Sequence, residues 1–258
     1  IQHDQEIGAL LKKLDDLGVA DNTIVIYSTD NGYELMFWPD GGYSPFRGEK
    51  GTTWEGGVRV PMMVRWPGQI PAGSVSNAIQ SHEDLFVTLA AAAGEPDLKA
   101  KLLEGAEMGD MTYKVHLDGV DNLDLWTGKT DKSARKDYFY YDEATLTGVR
   151  VGDWKMLFGV KENGLWWDPI VYPSAPYLFN LRMDPMERFD PLSHEWGYMG
   201  RKFLAQKMWT LVPAQGIIAE HMKSLQEWPP RQRAESLSLQ KSTEAVMRQL
   251  ENNPGQVW

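Results

Sequence analysis

The stretch that decides the fold reads NTIVIYSTDNGYELMFWPDGGYSPFRGEKGTTWEGGVRVPMMVRWPG and covers residues 22–68. Its first part, residues 22–29, is a continuous β-branched and aromatic run, which predicts a strand buried on both faces. Its last part, residues 57–68, alternates apolar and polar residues before a Pro-Gly pair, which predicts a second strand and a turn. The loop between them is rich in glycine and in charged residues. We therefore expect two strands of a sheet, joined by a loop that carries chemistry.

Two helices flank these strands. Residues 4–17 place apolar side chains three and four positions apart, which predicts an amphipathic helix that ends at Gly18. The apolar positions of this helix are Ile7, Leu10, Leu11, Leu14 and Leu17. Residues 81–94 predict a second helix, with Ser81 as its N-cap and Asp84 completing the capping box. The order helix, strand, loop, strand, helix predicts an α/β fold in which a mixed sheet is flanked by helices.

The texture of the sequence changes after about residue 130. The predicted strands of this later part are 137–143, 146–160 and 177–181, and its predicted helices are 201–227 and 234–251. A hairpin turn at Gly152-Asp153 divides the central strand region in two. We therefore expect a small antiparallel sheet packed by C-terminal helices. In domain terms, residues 1–130 are predicted to be the C-terminal portion of a large α/β domain, and residues 131–258 a smaller C-terminal domain.

The composition excludes several classes of protein. The chain has 258 residues, of which 42% are hydrophobic and 24% charged, so it is long enough to bury a sizeable core. Its net charge of -10 argues against nucleic acid as a partner, because nucleic-acid binders normally carry a basic face. No segment reaches the roughly 18 uncharged apolar residues of a membrane span, so none is expected. Since the chain has no cysteine, disulfides, thiolate metal sites and a cysteine nucleophile are excluded within these residues.

The tripeptide Asp30-Asn31-Gly32 follows directly after the first predicted strand. Ligands collect outside the carboxyl ends of strands in open α/β sheets. A carboxylate next to an amide carbonyl offers two hard oxygen ligands, which suit Ca²⁺ or Mg²⁺. The alternative is a plain Asn-Gly turn after a strand, the usual role of that dipeptide. The tripeptide alone does not decide between the two.

The loop lysine Lys50 lies between two glycines, Gly48 and Gly51. The flexible backbone on either side lets one ammonium group point into a site, where it would bind a tetrahedral anion as a point charge. The alternative is a solvated surface lysine. Glu55 and Arg59 follow in the same loop, and we interpret them as structural, with Glu55 pairing with Arg59 or accepting from backbone amides.

Several strings, taken together, resemble the type I sulfatases, the formylglycine-dependent arylsulfatase family. In the first part of the chain these are NTIVIYSTDNG, RGEKGTTWEGGVRVPMMVRWPGQIPAG and SHEDLFVTLAAAAG. In the later part YKVHLDGVDNL, LFNLRMDPMER, LVPAQ and WPPRQ resemble the C-terminal part of bacterial arylsulfatases. The likeness runs from residue 1 to near residue 240. It implies the sulfatase and alkaline phosphatase type of α/β fold and hydrolysis of a sulfate ester.

The resemblance implies roles for individual residues. Asp30 and Asn31 match the family's second pair of divalent-metal ligands, usually for Ca²⁺. Lys50 matches the lysine that contacts the sulfate of the substrate, so it would act both in binding and in catalysis. A metal and an ammonium group close together would stabilise negative charge that develops on the sulfuryl oxygens.

The chain also departs from the family pattern. The family's formylglycine nucleophile arises in a Cys/Ser-x-Pro-x-Arg motif, and no such motif occurs in this sequence. The family's other metal ligands, its second active-site lysine and its catalytic histidine are expected before Asp30. We therefore expect this chain to be the C-terminal half of a sulfatase, to need the N-terminal half of the same protein as its partner, and to be inactive alone.

Other residues have weaker signals. His116 lies near the predicted domain junction and is a candidate for the substrate pocket, although a histidine at such a place usually has no such role. Trp166-Trp167 lie in the irregular stretch ENGLWWDP and are candidates for the wall of an aryl pocket. The sequence assigns no compartment, and the resemblance alone implies a periplasmic or secreted protein.

Two rival functions stay open. One is a phosphate or phosphonate ester hydrolase of the same superfamily, although such relatives commonly carry Asp-His-Gly where this chain has Asp30-Asn31-Gly32. The other is a non-catalytic remnant that serves binding or scaffolding, against which the retained Asp30, Asn31 and Lys50 argue. The sequence does not identify which sulfate ester would be cleaved.

Overall fold

The computed structural model describes residues 1–37, 42–191 and 195–230. The predicted helix 234–251 lies outside these ranges. The helices are α1 (Gln2–Asp16), α2 (Glu55–Val58), α3 (Glu83–Ala92), α4 (Leu98–Glu104), α5 (Leu123–Trp126), α6 (Gly197–Lys207) and α7 (Leu211–Glu227). The strands are β1 (Val25–Ser28), β2 (Met62–Arg65), β3 (Ala106–Met108), β4 (Met111–Tyr113), β5 (Asp137–Asp142), β6 (Thr145–Val151), β7 (Trp154–Leu157) and β8 (Tyr177–Asn180).

The prediction of the first helix is confirmed by α1. Gly18 follows its end with φ of +67° and donates its N–H to the carbonyl of Asp15, so a glycine terminates the helix as predicted. The helix contacts the neighbouring strands through polar groups: Asp15 accepts a hydrogen bond from Arg65 of β2 at 3.2 Å. None of its residues is fully buried, so its apolar stripe is only partly covered by the described residues.

The two strands of the opening stretch pair with each other in antiparallel register, with Val25 opposite Arg65. The predicted burial of the first strand on both faces is wrong for this structure, because β1 pairs only with β2 among the described residues and stays half-buried. The second strand begins later than predicted. Residues 55–58 form the helical turn α2, in which Gly56 and Gly57 lie against the backbone of the preceding loop.

The second predicted helix is also confirmed. It is α3, but its N-cap is His82 rather than the predicted Ser81. The N–H of Ser81 does donate to Oδ2 of Asp84 at 2.9 Å, which is one half of the predicted capping box. The Asp84 carboxylate has a second task that the sequence did not indicate. It is buried and accepts from the guanidinium of Arg135, with Nη2 to Oδ1 at 2.6 Å and Nε to Oδ2 at 3.0 Å. This paired contact ties α3 to the segment that leads into β5.

The aromatic second part forms the predicted four-stranded antiparallel sheet, in the order β5-β6-β7-β8. Gly152, with φ of +58°, makes the predicted turn between β6 and β7. The two faces of the sheet have different neighbours, as the two-residue period of a strand requires. One face packs around Trp54, which comes from the glycine-rich loop, and the other packs on Ala214 and its neighbours in α6 and α7.

The observed architecture confirms the predicted fold class, an α/β arrangement followed by a small antiparallel sheet covered by helices. Contacts such as Asp84–Arg135 cross the boundary placed between residues 130 and 131, and that boundary stays a prediction. In the part of the chain described here, no helix combines the length and apolar character needed to cross a lipid bilayer.

Candidate active site

A cavity of about 630 Å³ opens at the end of β1. Asp30 and Asn31 line it, and so do Gly51 and Thr52 of the glycine-rich loop. This volume lies within the range of typical small-molecule sites. The structure therefore brings the two predicted metal ligands and the loop that carries the predicted sulfate lysine to one place.

Gly32 explains why the chain turns into the cavity after Asn31. Its N–H donates to the carbonyl of Gly57 at 2.9 Å. A Cβ at Gly32 would lie 1.7 Å from the carbonyl oxygen of Gly56, so no other residue fits without backbone movement. The φ of Gly32 is not positive. The glycine is therefore required because the two backbones approach closely, and not because the chain makes a left-handed turn.

The oxygens of Asp30 and Asn31 are available to a ligand. The side-chain amide nitrogen of Asn31 donates to the carbonyl of Gly32 at 2.9 Å, so its Oδ1 is the atom that could accept a cation. The Asp30 carboxylate is exposed and has no hydrogen bond or ion pair with any other described residue. Within the described ranges no group of three or more His, Cys, Asp or Glu side chains is placed to hold a metal ion. The pair could therefore supply two oxygen ligands to a divalent ion, but not the complete shell of about six or more.

His82 lies at the C-terminal end of β1, beside the cavity that Asp30 and Asn31 line. It lies just before α3, lines the cavity, and places Nε2 3.2 Å from Oγ of Ser28. Ser28 donates in turn to the carbonyl of Pro61 at 2.9 Å. A histidine in the first turn of a helix predicts only a packing or capping partner, and nothing in the local sequence indicates that β1 ends beside α3.

Lys50 lies beside the cavity rather than in its lining. Its backbone N–H donates to the carbonyl of Tyr33 at 2.8 Å, which pins the loop to the segment after Asn31. Its ammonium lies 3.3 Å from Oε2 of Glu34 and 4.8 Å from the centre of the Trp166 ring. A cation between a carboxylate and an aromatic face is stabilised by both. In this structure the lysine is therefore already paired.

Glu49, next to Lys50, organises the loops around it. It is 2% exposed, and its carboxylate accepts from the backbone N–H of Leu35 at 2.6 Å and of Trp166 at 3.1 Å. Hydrogen bonds from two backbone donors satisfy this buried carboxylate. The sequence did not identify Glu49, since both of its donors lie on other loops.

Several known proteins are similar to this chain in sequence. Residues 2–95 match the protein-family model described as Sulfatase. Arylsulfatase A of Homo sapiens is 36% identical over 228 residues, which cover 82% of this chain and 42% of that protein. N-acetylgalactosamine-6-sulfatase of Canis lupus familiaris is 30% identical over 260 residues, which cover 88% of this chain and 45% of that protein.

This chain belongs to the sulfatase family.

The likeness to sulfatases extends to three dimensions. The crystal structure of PsFucS1 sulfatase from Pseudoalteromonas sp. is similar with a TM-score of 0.70 and 29% identity, covering 88% of this chain and 42% of that chain. The sulfatase-family chain thus spans under half the length of the relatives described here. The fold class predicted from sequence is that of these sulfatases.

A buried ion cluster connects the glycine-rich loop of this sulfatase-family chain to its antiparallel sheet. Lys155 of β7 is fully buried, with Nζ 3.0 Å from Oε1 of Glu55 and 2.8 Å from Oε1 of Glu187. The N–H of Glu55 donates to Oε2 of Glu187 at 2.7 Å. Both predicted partners of Glu55 are wrong. Arg59 lies over the ring of Phe46 at 4.4 Å. Among the described residues the Glu55 carboxylate accepts from Lys155 and Tyr140 rather than from backbone amides.

Burial and charge set the protonation of this cluster. Burial acts to raise the pKa of the Glu55 carboxyl, but the Lys155 ammonium outweighs it, and the pKa is lowered. Burial prevails at Glu187, where the pKa is raised despite Lys155. Burial and the neighbouring Glu55 raise the pKa of Tyr140 well above its usual value, so this phenol stays protonated. The cluster holds Glu55 as the anion that Lys155 neutralises.

Aromatic side chains of the second part complete the cavity. Trp166 and Trp167 both line it, together with Tyr138 and Tyr141, so the predicted placement of the tryptophans at a pocket wall agrees with the structure. The two indoles stack with their centres 5.5 Å apart and their planes at 19°.

His116 is placed elsewhere in the sulfatase-family chain. Its Nδ1 lies 3.5 Å from Oδ1 of Asp118, and its ring stacks on Trp228 with centres 6.2 Å apart. It is absent from the cavity lining. Its role in substrate binding stays a prediction.

Proposed function

We propose that this chain supplies one half of the active site of a sulfuric ester hydrolase. One observation carries the proposal: Asp30, Asn31 and the loop residue next to Lys50 border a single cavity in a chain of the sulfatase family. The rest of the site, including a formylglycine nucleophile, would come from sequence outside these 258 residues.

Asp30 and Asn31 would hold Ca²⁺ or Mg²⁺. The donor set fits such an ion, since one carboxylate with no partner among the described residues and one amide oxygen are both hard ligands. When bound, the ion would neutralise charge on the sulfate oxygens. Because these residues supply only two ligands, the remaining ones would come from other parts of the protein, from the substrate or from water.

Lys50 would bind the sulfate and assist the leaving oxygen. Its ammonium would exchange the Glu34 carboxylate, 3.3 Å away, for a sulfate oxygen. The Glu34 carboxylate and the sulfate are both anions, so the Lys50 ammonium is paired with a negative charge both before and after the substrate binds. Glu49, through its bonds to Leu35 and Trp166, keeps the surrounding loops in place. Lys50 then acts on negative charge that grows as the ester bond to the alcohol or phenol breaks.

Metal binding tests this assignment in the full-length protein. Calorimetric titration with Ca²⁺ compares wild type, Asp30→Ala and Asp110→Ala, the last an exposed aspartate in the turn between β3 and β4. We expect Asp30→Ala to weaken Ca²⁺ binding at least about tenfold and to abolish hydrolysis of 4-nitrophenyl sulfate, since it removes a charged ligand. Asp110→Ala should match wild type.

Other outcomes separate the rival functions. Unchanged Ca²⁺ affinity and unchanged activity in Asp30→Ala would contradict the metal assignment. Faster hydrolysis of 4-nitrophenyl phosphate than of the sulfate would favour a phosphate ester hydrolase. The 258-residue chain alone should be inactive, because it has no nucleophile motif. Turnover by this chain at the rate of the full protein would refute the division of the site.

A further inference from the structure

Trp167 is an exposed indole in a concave site. It is 64% exposed, although it lines the cavity that Asp30 and Asn31 border. Its neighbour Trp166 is half-buried and stacks against it. An uncovered aromatic surface inside a cavity of ligand size is typical of a surface that a ring of a ligand covers.

Trp166 connects this indole to the loop of Lys50. A Cβ at Gly51 would lie 2.2 Å from Cδ1 of Trp166, so the indole lies directly on the backbone of that loop. The Lys50 ammonium lies 4.8 Å from the centre of the same ring. A sulfate held by Lys50 therefore has its ester oxygen, and the group attached to it, close to the tryptophan pair.

The segment that carries the two tryptophans is held in place by its own hydrogen bonds. Asp168 accepts from the backbone N–H of Leu165 at 3.2 Å and from the side chain of Asn163 at 3.3 Å. Gly164, with φ of +75°, leaves room for Gly48, since a Cβ there would lie 3.1 Å from its Cα. A surface fixed in advance loses little entropy when a ligand binds.

The charge around the cavity limits what the ligand can carry besides its sulfate. Lys161 lines the cavity, but its ammonium is already bound to Oδ1 of Asp142 at 3.3 Å and to the carbonyl of Gly51 at 2.8 Å. Asp142 and Glu143 line the cavity as well. A second anionic group on the ligand would meet these carboxylates and no uncommitted lysine or arginine among the described lining residues.

We propose that Trp167, supported by Trp166, binds the leaving group and selects sulfate monoesters whose leaving group is an uncharged ring with a flat apolar face. This proposal rests on the proposed function. Aryl rings and sugar rings both present such a face, and the experiment distinguishes them. Trp167 is thus a specificity residue that determines KM more than kcat.

Steady-state kinetics of the full-length protein test the proposal. The substrates are 4-nitrophenyl sulfate, a monosulfated monosaccharide, the same sugar carrying two sulfates, and ethyl sulfate, which has no ring. The variants are Trp167→Ala, Trp167→Phe and the control Trp209→Ala, which removes another exposed indole (62%) that is absent from the cavity lining.

We expect Trp167→Ala to raise KM about two- to tenfold for at least one ring ester, the range that stacking provides. Its kcat for that ester and both constants for ethyl sulfate should stay near wild type. Trp167→Phe should restore most of the loss, and Trp209→Ala should match wild type. If KM rises for the aryl ester, the ring that Trp167 binds is an aryl ring; if it rises for the sugar ester, the ring is a sugar. The doubly sulfated sugar should have a higher KM than the singly sulfated one.

Three results would overturn the proposal. They are an equal loss on ethyl sulfate, unchanged constants on both ring esters, and a KM for the doubly sulfated sugar at or below that of the singly sulfated one. Calorimetric titration with 4-nitrophenol and with the free sugar measures ring binding without hydrolysis. It therefore distinguishes failure of the Trp167 proposal from failure of the proposed hydrolase function. If no sulfate ester is hydrolysed but a ring still binds in a Trp167-dependent way, the hydrolase assignment fails and the binding surface stands.

Discussion

The ammonium of Lys155 lies 3.0 Å from a carboxylate oxygen of Glu55, and both side chains are buried. These residues are 100 positions apart, so the pair fixes the start of α2 to the middle of the antiparallel sheet. Glu187 joins them as a second carboxylate on the same lysine. The glycine-rich loop is therefore held to the second part of the chain by charge as well as by the packing of Trp54.

Lys155→Met should destabilise the full-length protein strongly, because it leaves two buried carboxylates without their cation. We expect the free energy of unfolding to fall by about 3–5 kcal/mol, measured by urea denaturation. Lys12→Met is the matched control, because Lys12 forms an ion pair with Asp16 on the surface. The side chains of Lys12 and Asp16 are 73% and 53% exposed. That change should cost less than about 1 kcal/mol. Equal effects of the two variants would contradict the structural role of Lys155.

Gly32 and Gly8 should respond in opposite ways to alanine. A Cβ at Gly32 meets the backbone of Gly56 at 1.7 Å, so Gly32→Ala should lower the free energy of unfolding by about 2 kcal/mol or more. Gly8 lies inside α1 with nothing within 4 Å of its added Cβ, so Gly8→Ala should stabilise by about 0.5–1 kcal/mol. Thermal unfolding of both variants tests this, and a stabilised Gly32→Ala would refute the close approach.

Gly51 and Gly73 separate backbone strain from crowding at the site. Both have φ above +70°, so alanine at either costs about 1–2 kcal/mol of stability. Only at Gly51 would the new Cβ meet an indole, that of Trp166, whereas nothing lies within 4 Å at Gly73. We expect both variants to lose stability, and only Gly51→Ala to lose most of kcat/KM for a sulfate ester. If Gly73→Ala lost activity to the same extent, crowding at Trp166 would not be the cause.

His221 should make stability depend on pH. Its ring stacks on Phe139 with centres 3.7 Å apart, and burial lowers its pKa below the usual 6.5. The folded state thus favours the neutral ring, so its contribution is present above pH 6.5 and is lost as pH falls through the lowered value. Melting temperatures at pH 8.0 and at about pH 5 should differ less in His221→Phe than in wild type. An identical pH dependence in the two proteins would contradict this.

The sequence predicted the elements whose signals are local. The periodicity of α1 and the turn at Gly152 each lie within a few neighbouring residues, and both were confirmed. The capping box of α3 was confirmed only in the bond from Ser81 to Asp84, since the helix has His82 as its N-cap. The burial of β1 was predicted wrongly. A run of β-branched residues predicts a strand, but it does not predict how many other strands or helices pack against that strand. The structure alone showed contacts between distant residues.

The residues of the candidate site also divide into those with local sequence signals and those that depend on contacts between distant parts of the chain. Asp30, Asn31 and Lys50 were selected because the strings around them resemble the sulfatase family, since their residue types alone also fit a plain turn and a surface lysine. The partner of Glu55 could not be predicted, since it lies on β7, and neither could the contact of Trp166 with Gly51. Such contacts depend on how the sheet packs against the loop, which no local pattern encodes.

The proposed function depends on the action of Lys50 on the sulfate of the substrate. The most direct test is kcat/KM for 4-nitrophenyl sulfate in the full-length protein, compared between wild type, Lys50→Ala and the exposed-lysine control Lys129→Ala. We predict a loss of about 100-fold or more for Lys50→Ala and wild-type activity for the control. A Lys50→Ala variant that folds and hydrolyses the ester at the wild-type rate would contradict the claim.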